Sequence, residues 1–304
     1  MVGKCGSPGV GIGTWSSRLM GQIRWRDSGF LDSGLGETNE AQKGVLSAGG
    51  PIAPLSPRAT ASFADDAIEV VVARLDVEPG AVRASAALLS DPERERASRF
   101  AFDRDRHRFI VARALLRGLL GARLAVRPDS IELVKEGRGK PALAPRFAGS
   151  DLRFNVSHCA DLAVYAFARG REIGIDVEAV RFLRDADDLA ACFFSRRENE
   201  AYLALDPRAR PLGFFNCWTR KEAFVKALGE GLYYPLDRFD VSLAPGEPAR
   251  LLRVAGTAGD RCGWRMASFT PAPGSVAAVV VESGSGRAGA AVRAPRSARA
   301  ARVP

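Results

Sequence analysis

The chain of 304 residues is poor in the groups that build zinc sites and disulfide frameworks. It has two histidines and five cysteines, and the cysteines are scattered without a CxxC pair. Zinc sites and disulfide-rich secreted domains need clustered or paired ligands, so the sequence argues against both. Isolated cysteines are typical of a reducing compartment, and we expect a cytoplasmic protein.

Long apolar runs are also missing. No segment approaches the roughly 20 apolar residues that span a bilayer. The first residues lack the apolar core of a signal peptide. We therefore predict no membrane segment and no secretory leader.

The formal net charge of +9 lies mostly at the two ends. Residues 1–60 carry six Lys or Arg and four Asp or Glu, and residues 284–304 carry five Arg and no acid. Because the middle is nearly neutral, we predict no nucleic-acid partner, and any anion site there must be local. Residues 1–60 and 284–304 are expected to be disordered or low-complexity segments.

The predicted folded unit shows one pattern twice, in subdomains at 61–170 and 171–283. Strand-like runs at 69–75 and 172–177 precede S-x-x-E capping boxes that begin at Ser90 and Ser195. A longer amphipathic helix follows each box. In the first half, an apolar face ends near Gly121 and consists of Phe109, Ala112, Leu116 and Leu119; in the second half, the helix ends at Gly229. Apolar strands at 162–168 and 276–281 close the halves.

Chance similarity between two α/β segments is the alternative to duplication, but the shared order of features favours duplication. We predict an α/β (α+β) fold of two similar subdomains about a pseudo-twofold axis. A cleft between such subdomains is a common place for a ligand site.

Two acids end the second predicted strand, in the segment GIDVE at residues 174–178. Asp176 and Glu178 are two residues apart, so their carboxylates share one face of the strand. Neighbouring carboxylates repel one another unless a cation lies between them, and oxygen ligands suit Mg²⁺. A polar strand end that faces solvent is the alternative.

Glu222 and Lys226 lie in the segment WTRKEAFVK at residues 218–226. With Trp218 they share one helical face at i, i+4 spacing. An exposed ion pair is the ordinary explanation, but Trp218 normally faces the core. A partly buried acid and lysine need compensating charges, such as a metal and a phosphate.

Three weaker signals complete the set. The segment NVSH at 155–158 offers small polar groups, Asn155 and Ser157, of the kind that bind phosphate oxygens, beside His158. The segment GRGKP at 137–141 is a basic glycine turn without the spacing of a Walker A loop. Eight arginines lie between residues 94 and 117, where a solvated helix face is the default and His107 is taken as surface.

These motifs, in this order over residues 71–281, resemble the large, two-lobed type of 4′-phosphopantetheinyl transferase. The resemblance implies a monomeric, Mg²⁺-dependent holo-[acyl-carrier-protein] synthase. Such an enzyme moves phosphopantetheine from coenzyme A to a serine of an apo acyl or peptidyl carrier protein and releases 3′,5′-ADP.

The resemblance also assigns residues. The implied metal ligands and catalytic acids are Asp176 and Glu222, and either Glu178 or a water completes the metal shell. Lys226 would meet the pyrophosphate, Ser157 and His158 the phosphates. The residues expected beside the adenine or the nucleotide's phosphates are Lys140, Pro141, Arg104 and Lys135. The proton of the carrier serine would pass to Glu222 or to a metal-bound water.

Two other functions are compatible with parts of the sequence. The segment PDSI at 128–131 echoes the modified serine of a carrier protein, but it runs into a strand-like segment instead of opening a helix. A coenzyme A-binding protein without transferase activity is the second alternative.

If the implied metal ligands are correct, Asp176→Ala or Glu222→Gln will abolish phosphopantetheine transfer while the protein still folds. Transfer to an apo-carrier, read by mass, and circular dichroism measure the two properties. Full activity in either variant would contradict the metal assignment.

Overall fold

The computed structural model describes residues 68–136, 139–229, 234–254 and 263–283. The predicted disordered ends, 1–60 and 284–304, lie outside the described residues. So do Gly137 and Arg138 of the basic glycine turn.

The N-terminal half begins with a strand, continues through three helices and ends in four strands. Its elements are β1 Glu69–Arg74, α1 Pro79–Ala86, α2 Asp91–Ser98, α3 Asp103–Leu124, β2 Leu133–Glu136, β3 Lys140–Leu143, β4 Leu152–Cys159 and β5 Leu162–Arg169. A short 3₁₀ turn, Pro128–Ser130, joins α3 to β2.

The C-terminal half repeats that order. Its elements are β6 Ile173–Ala179, α4 Ala186–Phe193, α5 Arg196–Leu203, α6 Arg210–Leu228, β7 Phe239–Val241, β8 Leu251–Val254, β9 Trp264–Phe269 and β10 Ser275–Glu282. A 3₁₀ turn, Leu236–Arg238, precedes β7 as the corresponding turn precedes β2.

The two halves share one sheet topology. The N-terminal sheet has the strand order β1-β5-β4 and the C-terminal sheet β6-β10-β9, both antiparallel. Each half adds a two-stranded hairpin, β2-β3 or β7-β8. The predicted fold of two similar α/β subdomains is therefore confirmed. The boundary at 170/171 stays a prediction, in the turn between β5 and β6.

The sheets pack against each other and carry their helices outside. In β1, Val70 and Val72 face the other sheet, whereas Val71 and Ala73 face the N-terminal helices. In β6, Ile173 and Ile175 lie in the core between the sheets. Period-2 alternation of apolar residues on both faces of each sheet thus produces four layers, helix–sheet–sheet–helix.

Both predicted capping boxes are present, and each connects to a buried cation. The Oε2 atom of Glu198 accepts a hydrogen bond from the backbone of Ser195 at 2.7 Å and lies 2.7 Å from Nζ of the fully buried Lys221. Lys221 also donates to the carbonyls of Leu236 and Phe239, at 2.6 and 2.7 Å. One cation thereby ties α5, α6 and the 3₁₀ turn together.

The N-terminal half has the same arrangement with an arginine. Glu93 accepts from the backbone of Ser90 at 2.9 Å and from Nε of buried Arg117 at 2.7 Å. Arg117 donates to the carbonyls of Pro128 and Ile131, at 3.1 and 2.9 Å. The duplication therefore extends to side-chain contacts that link helices α2 and α3 to a 3₁₀ turn.

The buried face of the first long helix ends at Gly121, as predicted, although the helix itself runs further. Helix α3 continues to Leu124, and Ala125 adopts the left-handed conformation with φ 54°. Gly121 serves packing instead, because an added Cβ would lie 2.7 Å from the carbonyl oxygen of Val126. Of the four predicted face residues only Leu116 is fully buried; the others are partly buried, and the buried apolar positions are Ile110, Val111, Ala114, Leu115, Leu116 and Leu120.

Gly229 caps α6 as predicted, with φ 74°. Another glycine sets how closely α6 approaches β6. A Cβ at Gly174 would lie 2.1 Å from the carbonyl oxygen of Ala223 and 2.4 Å from the backbone nitrogen of Ala227. Only a residue without a side chain permits this contact between helix backbone and strand.

Gly174→Ala should therefore destabilise the protein by about 1–3 kcal/mol or more, because backbone atoms must move apart. Urea unfolding measures the change. Gly118→Ala is the control, since nothing lies within 4 Å of its added Cβ on α3. It should stabilise the helix by about 0.5–1 kcal/mol. Equal stability of the Gly174→Ala variant and the wild type would contradict the close approach.

Candidate functional site

The predicted site residues converge where β4 of one half meets β6 of the other. Each strand lies at an edge of its own sheet, and no backbone ladder joins the two in the described chain. Side chains join them instead. Oδ1 of Asn155 accepts from the Ile175 amide at 2.9 Å, and the Ser157 hydroxyl donates to Oδ1 of Asp176 at 2.8 Å.

Asp176 lies at the centre of this seam and is 3% exposed. Its Oδ1 atom accepts from Ser157 and from Nζ of Lys226, at 2.8 and 2.6 Å. Its Oδ2 atom is buried and has no hydrogen-bond partner among the described residues. A buried, unbonded carboxylate oxygen beside other acids has the chemistry of a cation ligand.

Lys226 projects from α6 toward the seam. Its ammonium donates to Oδ1 of Asp176, to the Ser157 hydroxyl at 3.1 Å and to the Ile175 carbonyl at 3.2 Å. An ammonium group has three hydrogens, so these contacts use all of them. Lys226 must exchange partners before it can bind a phosphate.

Glu178 and Glu222 are also buried, at 6% and 4% exposure. Glu178 lies 3.7 Å from Nη1 of Arg181, and Cys159 donates weakly to its Oε2 atom at 3.7 Å. Glu222 lies one turn before Lys226 on α6, the helix that contacts β6 at Gly174.

The three acids do not form a ready-made metal centre. Within 68–136, 139–229, 234–254 and 263–283, no group of three or more His, Cys, Asp or Glu side chains is arranged to hold a metal ion. The assignment of Asp176, Glu178 and Glu222 as metal ligands therefore stays a prediction.

The segment 155–158 divides between the two faces of β4. Asn155 and Ser157 point toward β6, whereas His158 is exposed and belongs to the alternate face. The structure therefore brings Ser157, but not His158, to the face that meets Asp176. Asn155 was expected near phosphate, and its amide oxygen accepts a hydrogen bond inside the protein, from the Ile175 amide.

The basic hairpin contacts the start of β6. Nζ of Lys140 lies 3.1 Å from both Oε2 of Glu172 and the carbonyl oxygen of Ile173. Pro141 pairs with Lys135 in the hairpin, and Lys135 is exposed. Of the three hairpin residues predicted at the nucleotide, Lys140 thus contacts the start of the acid-bearing strand, and Pro141 and Lys135 pair beside it in the hairpin.

A cavity of about 460 Å³ lies next to Arg104. It is lined by Leu75, Asp76, Val77, Glu78, Arg104 and His107. All of these lining residues belong to the N-terminal half. The expected cleft between the halves stays a prediction. His107 was expected at the surface, but it is half-buried and lines the cavity.

The cavity opens at the same end of the sheet as the seam. Arg74, just before the cavity, pairs with Leu162, which pairs with Cys159 of β4. Two strand spacings, about 10 Å, separate Arg74 from Cys159. At the cavity Arg108 forms two 2.6 Å bonds to Asp76, and these hold the pKa of Asp76 below its ordinary value.

Comparisons with known proteins decide the family. Residues 172–279 match the model of the 4′-phosphopantetheinyl transferase superfamily, and residues 78–169 match the 4′-phosphopantetheinyl transferase N-terminal model. The 4′-phosphopantetheinyl transferase HetI of Nostoc sp. is 40% identical over 68% of this chain and 84% of its own length. The chain belongs to the 4′-phosphopantetheinyl transferase superfamily.

Other relatives agree. A putative 4′-phosphopantetheinyl transferase of Synechocystis sp. is 31% identical over 60% of this chain and 72% of its own length. The transferase Sfp of Bacillus subtilis is 32% identical over 51% of this chain and 66% of its own length. Both family matches together make this a two-domain, Sfp-type transferase. In the parts that the structure describes, no helix is long and apolar enough to cross a membrane.

Sequence reasoning on this transferase missed Cys159 and Arg181. Cys159 accepts from the Ala179 amide at 3.3 Å and contacts Glu178. The signal for Cys159 was present, because positions 155, 157 and 159 alternate as small polar residues along one strand. The guanidinium carbon of Arg181 lies 5.1 Å from the centre of the Phe215 ring. No pattern in the sequence indicates this contact.

Cys159 should react slowly with alkylating agents. Burial and the charge of Glu178 raise its pKa to about 12, so its thiol stays protonated at neutral pH. Iodoacetamide at pH 7.5, followed by peptide mapping, should label exposed Cys192 at least about tenfold faster than Cys159. Cys217 is the buried control and should stay unlabelled. Equal labelling of Cys159 and Cys192 would contradict this environment.

Proposed function

We propose that this chain transfers 4′-phosphopantetheine from coenzyme A to a serine of an apo acyl or peptidyl carrier protein. The serine oxygen forms a bond to the β-phosphorus, the bond between that phosphorus and the bridging oxygen breaks, and 3′,5′-ADP leaves. The proton of the serine passes to Glu222 or to water. The enzyme acts as a cytoplasmic monomer.

The observation that carries this proposal is the buried cluster of Asp176, Ser157 and Lys226 beside two further buried carboxylates. Burying charged groups is unfavourable unless they are paired or bind a ligand. Buried clusters of charged groups are common at functional sites.

The N-terminal half provides an internal comparison. Arg117 and Lys221 occupy the same position in the two copies of the buried cation arrangement. Glu222 and Lys226 follow Lys221 by one and five residues, whereas Gly118 and Ala122 follow Arg117. The repeat therefore folds without these charges.

The strands give the same contrast. The helix-facing positions of β1 are Val71 and Ala73. In β6 the positions that face α6 are Gly174 and Asp176. The scaffold is duplicated and the charged groups occur in one copy, which supports a chemical role for them.

The donor set fits Mg²⁺, the cation that we propose. Asp176 offers a buried and unbonded Oδ2 atom, and Glu178 and Glu222 would complete the set of oxygen ligands. When bound, Mg²⁺ would neutralise charge on the diphosphate.

Lys226 would then move its hydrogen bonds from Asp176 to the pyrophosphate and stabilise the charge that develops on the leaving group. Ser157 and His158 would hold phosphate oxygens. Lys140 and Pro141 would lie by the adenine. Arg104 and Lys135 would meet the nucleotide's phosphates. This assignment spreads the coenzyme over the seam, the hairpin and the cavity.

Incubation with coenzyme A, Mg²⁺ and a panel of apo-carriers tests the activity directly. The expected result is a carrier that gains the mass of one phosphopantetheine while 3′,5′-ADP appears. A chain that binds coenzyme A but modifies none of the carriers would favour the alternative of a binding protein without transferase activity.

Lys226→Ala should lower kcat by about 10²–10³-fold, because it removes a cation aimed at the leaving group. The matched control is Arg196→Ala on α5, which also removes one cation. Arg196 forms an exposed i, i+4 pair with Glu200 and belongs to none of the proposed site residues. It should leave kcat unchanged. Thermal unfolding of both variants separates lost folding from lost chemistry, and a folded Lys226→Ala variant with wild-type kcat would rule out the role.

A further inference from the structure

At the free edge of β6, side chains form hydrogen bonds with the strand's backbone. In a continuous sheet, the backbone of a neighbouring strand would form these bonds. Among the outward backbone groups of β6, the Ile173 carbonyl accepts from Lys140, the Ile175 amide donates to Asn155 and the Ile175 carbonyl accepts from Lys226. The Ala179 amide donates to Cys159, and the Ala179 carbonyl accepts from Arg181. Two of these partners come from β4 and one from β3, so the N-terminal half supplies most of the contacts.

These contacts provide hydrogen-bond partners for backbone groups that have no neighbouring strand. Buried backbone amides need acceptors, and an edge strand inside a protein has no ladder on one side. Asn155, which is 4% exposed, provides an amide oxygen in place of a strand carbonyl. Because a side chain is inserted between the backbones, β4 and β6 stay apart while remaining fixed to each other.

The two bonds from β4 flank the acids. Asn155 holds the amide of Ile175, the residue directly before Asp176. Cys159 holds the amide of Ala179, the residue directly after Glu178, and also contacts the Glu178 carboxylate. The backbone is thus fixed on both sides of the segment that carries both carboxylates.

We infer that Asn155 and Cys159 are positioning residues that fix the carboxylates of Asp176 and Glu178 for a divalent cation. The inference rests on the proposed function and deepens it. It gives Asn155 a task other than binding phosphate, and it makes the cation site of the C-terminal half depend on a strand of the N-terminal half.

The structure offers a matched control for the loss of a buried asparagine hydrogen bond. Asn216 is 5% exposed and donates to the Leu243 carbonyl at 3.1 Å, inside the C-terminal core. Asn155→Leu and Asn216→Leu remove one such bond each. Only the first bond touches the acid-bearing strand.

Hydrogen–deuterium exchange on the full-length protein without metal reports the bond itself. The amide of Ile175 should lose protection in Asn155→Leu, keep it in Asn155→Asp, which retains the acceptor oxygen, and keep it in Asn216→Leu. The amide of Ala179 should lose protection in Cys159→Ala and keep it in Cys159→Ser. Unchanged protection of Ile175 in Asn155→Leu would overturn the positioning role of Asn155, and unchanged protection of Ala179 in Cys159→Ala that of Cys159.

Binding of Mn²⁺, followed by electron paramagnetic resonance, reports the consequence for the cation. Asn155→Leu should weaken Mn²⁺ binding about 10–100-fold, as loss of an outer contact to a metal ligand does, and Cys159→Ala should also weaken it. Asn216→Leu should stay within about twofold of the wild type. Equal Mn²⁺ affinity of the wild type and Asn155→Leu would overturn the inference.

Calorimetry with coenzyme A in the absence of metal separates positioning from phosphate binding. A positioning role predicts that coenzyme A affinity is unchanged in Asn155→Leu. Weakened coenzyme A binding with unchanged Mn²⁺ binding would overturn the inference and make Asn155 a phosphate ligand. A wild-type protein that binds Mn²⁺ as described, yet modifies no carrier, would overturn the proposed function and leave the positioning roles supported.

Discussion

The side-chain contact between the edge strands β4 and β6 is the interaction on which the site depends. Asn155, Ser157 and Cys159 bridge the strands where a backbone ladder would otherwise close the gap. The bridge bonds the Ile175 and Ala179 amides at the edge of β6, and Ser157 holds Oδ1 of Asp176. The Oδ2 atom of Asp176 has no hydrogen-bond partner in the described chain.

Helix α6 contributes the second constraint. Its contact with Gly174 brings the helix backbone against β6, and the same contact brings Lys226 to Asp176. The lysine is the counter-charge of the aspartate. This arrangement lowers the cost of burying either group alone, and it means that a bound cation and a bound phosphate would each replace one member of an existing ion pair.

The duplication explains which residues serve folding and which serve chemistry. Glu93 with Arg117, and Glu198 with Lys221, hold a capping box, a long helix and a 3₁₀ turn together in both halves. Lys221 stands directly before Glu222 in the sequence, yet its copy in the N-terminal half identifies it as part of the scaffold. Sequence proximity alone would have grouped the two residues.

Local patterns determined much of this protein in advance. Strand alternation, the S-x-x-E boxes and Gly229 are signals within a few residues, and they located β1, α2, α5 and the end of α6 because capping and periodicity are local effects. The local patterns did not indicate that Gly121 packs closely against the backbone of Val126. Motif order over the whole chain identified the family, which the matches to residues 78–169 and 172–279 confirm.

Only the tertiary structure decided how the motifs meet. Nothing in the segment 155–158 indicates that Ser157 bonds Asp176, because Asp176 is 19 residues away and belongs to another sheet. The engagement of all three Lys226 hydrogens, and the position of the cavity within one half, likewise depend on packing between distant segments. Sequence specified the chemical groups, and long-range packing specified their partners.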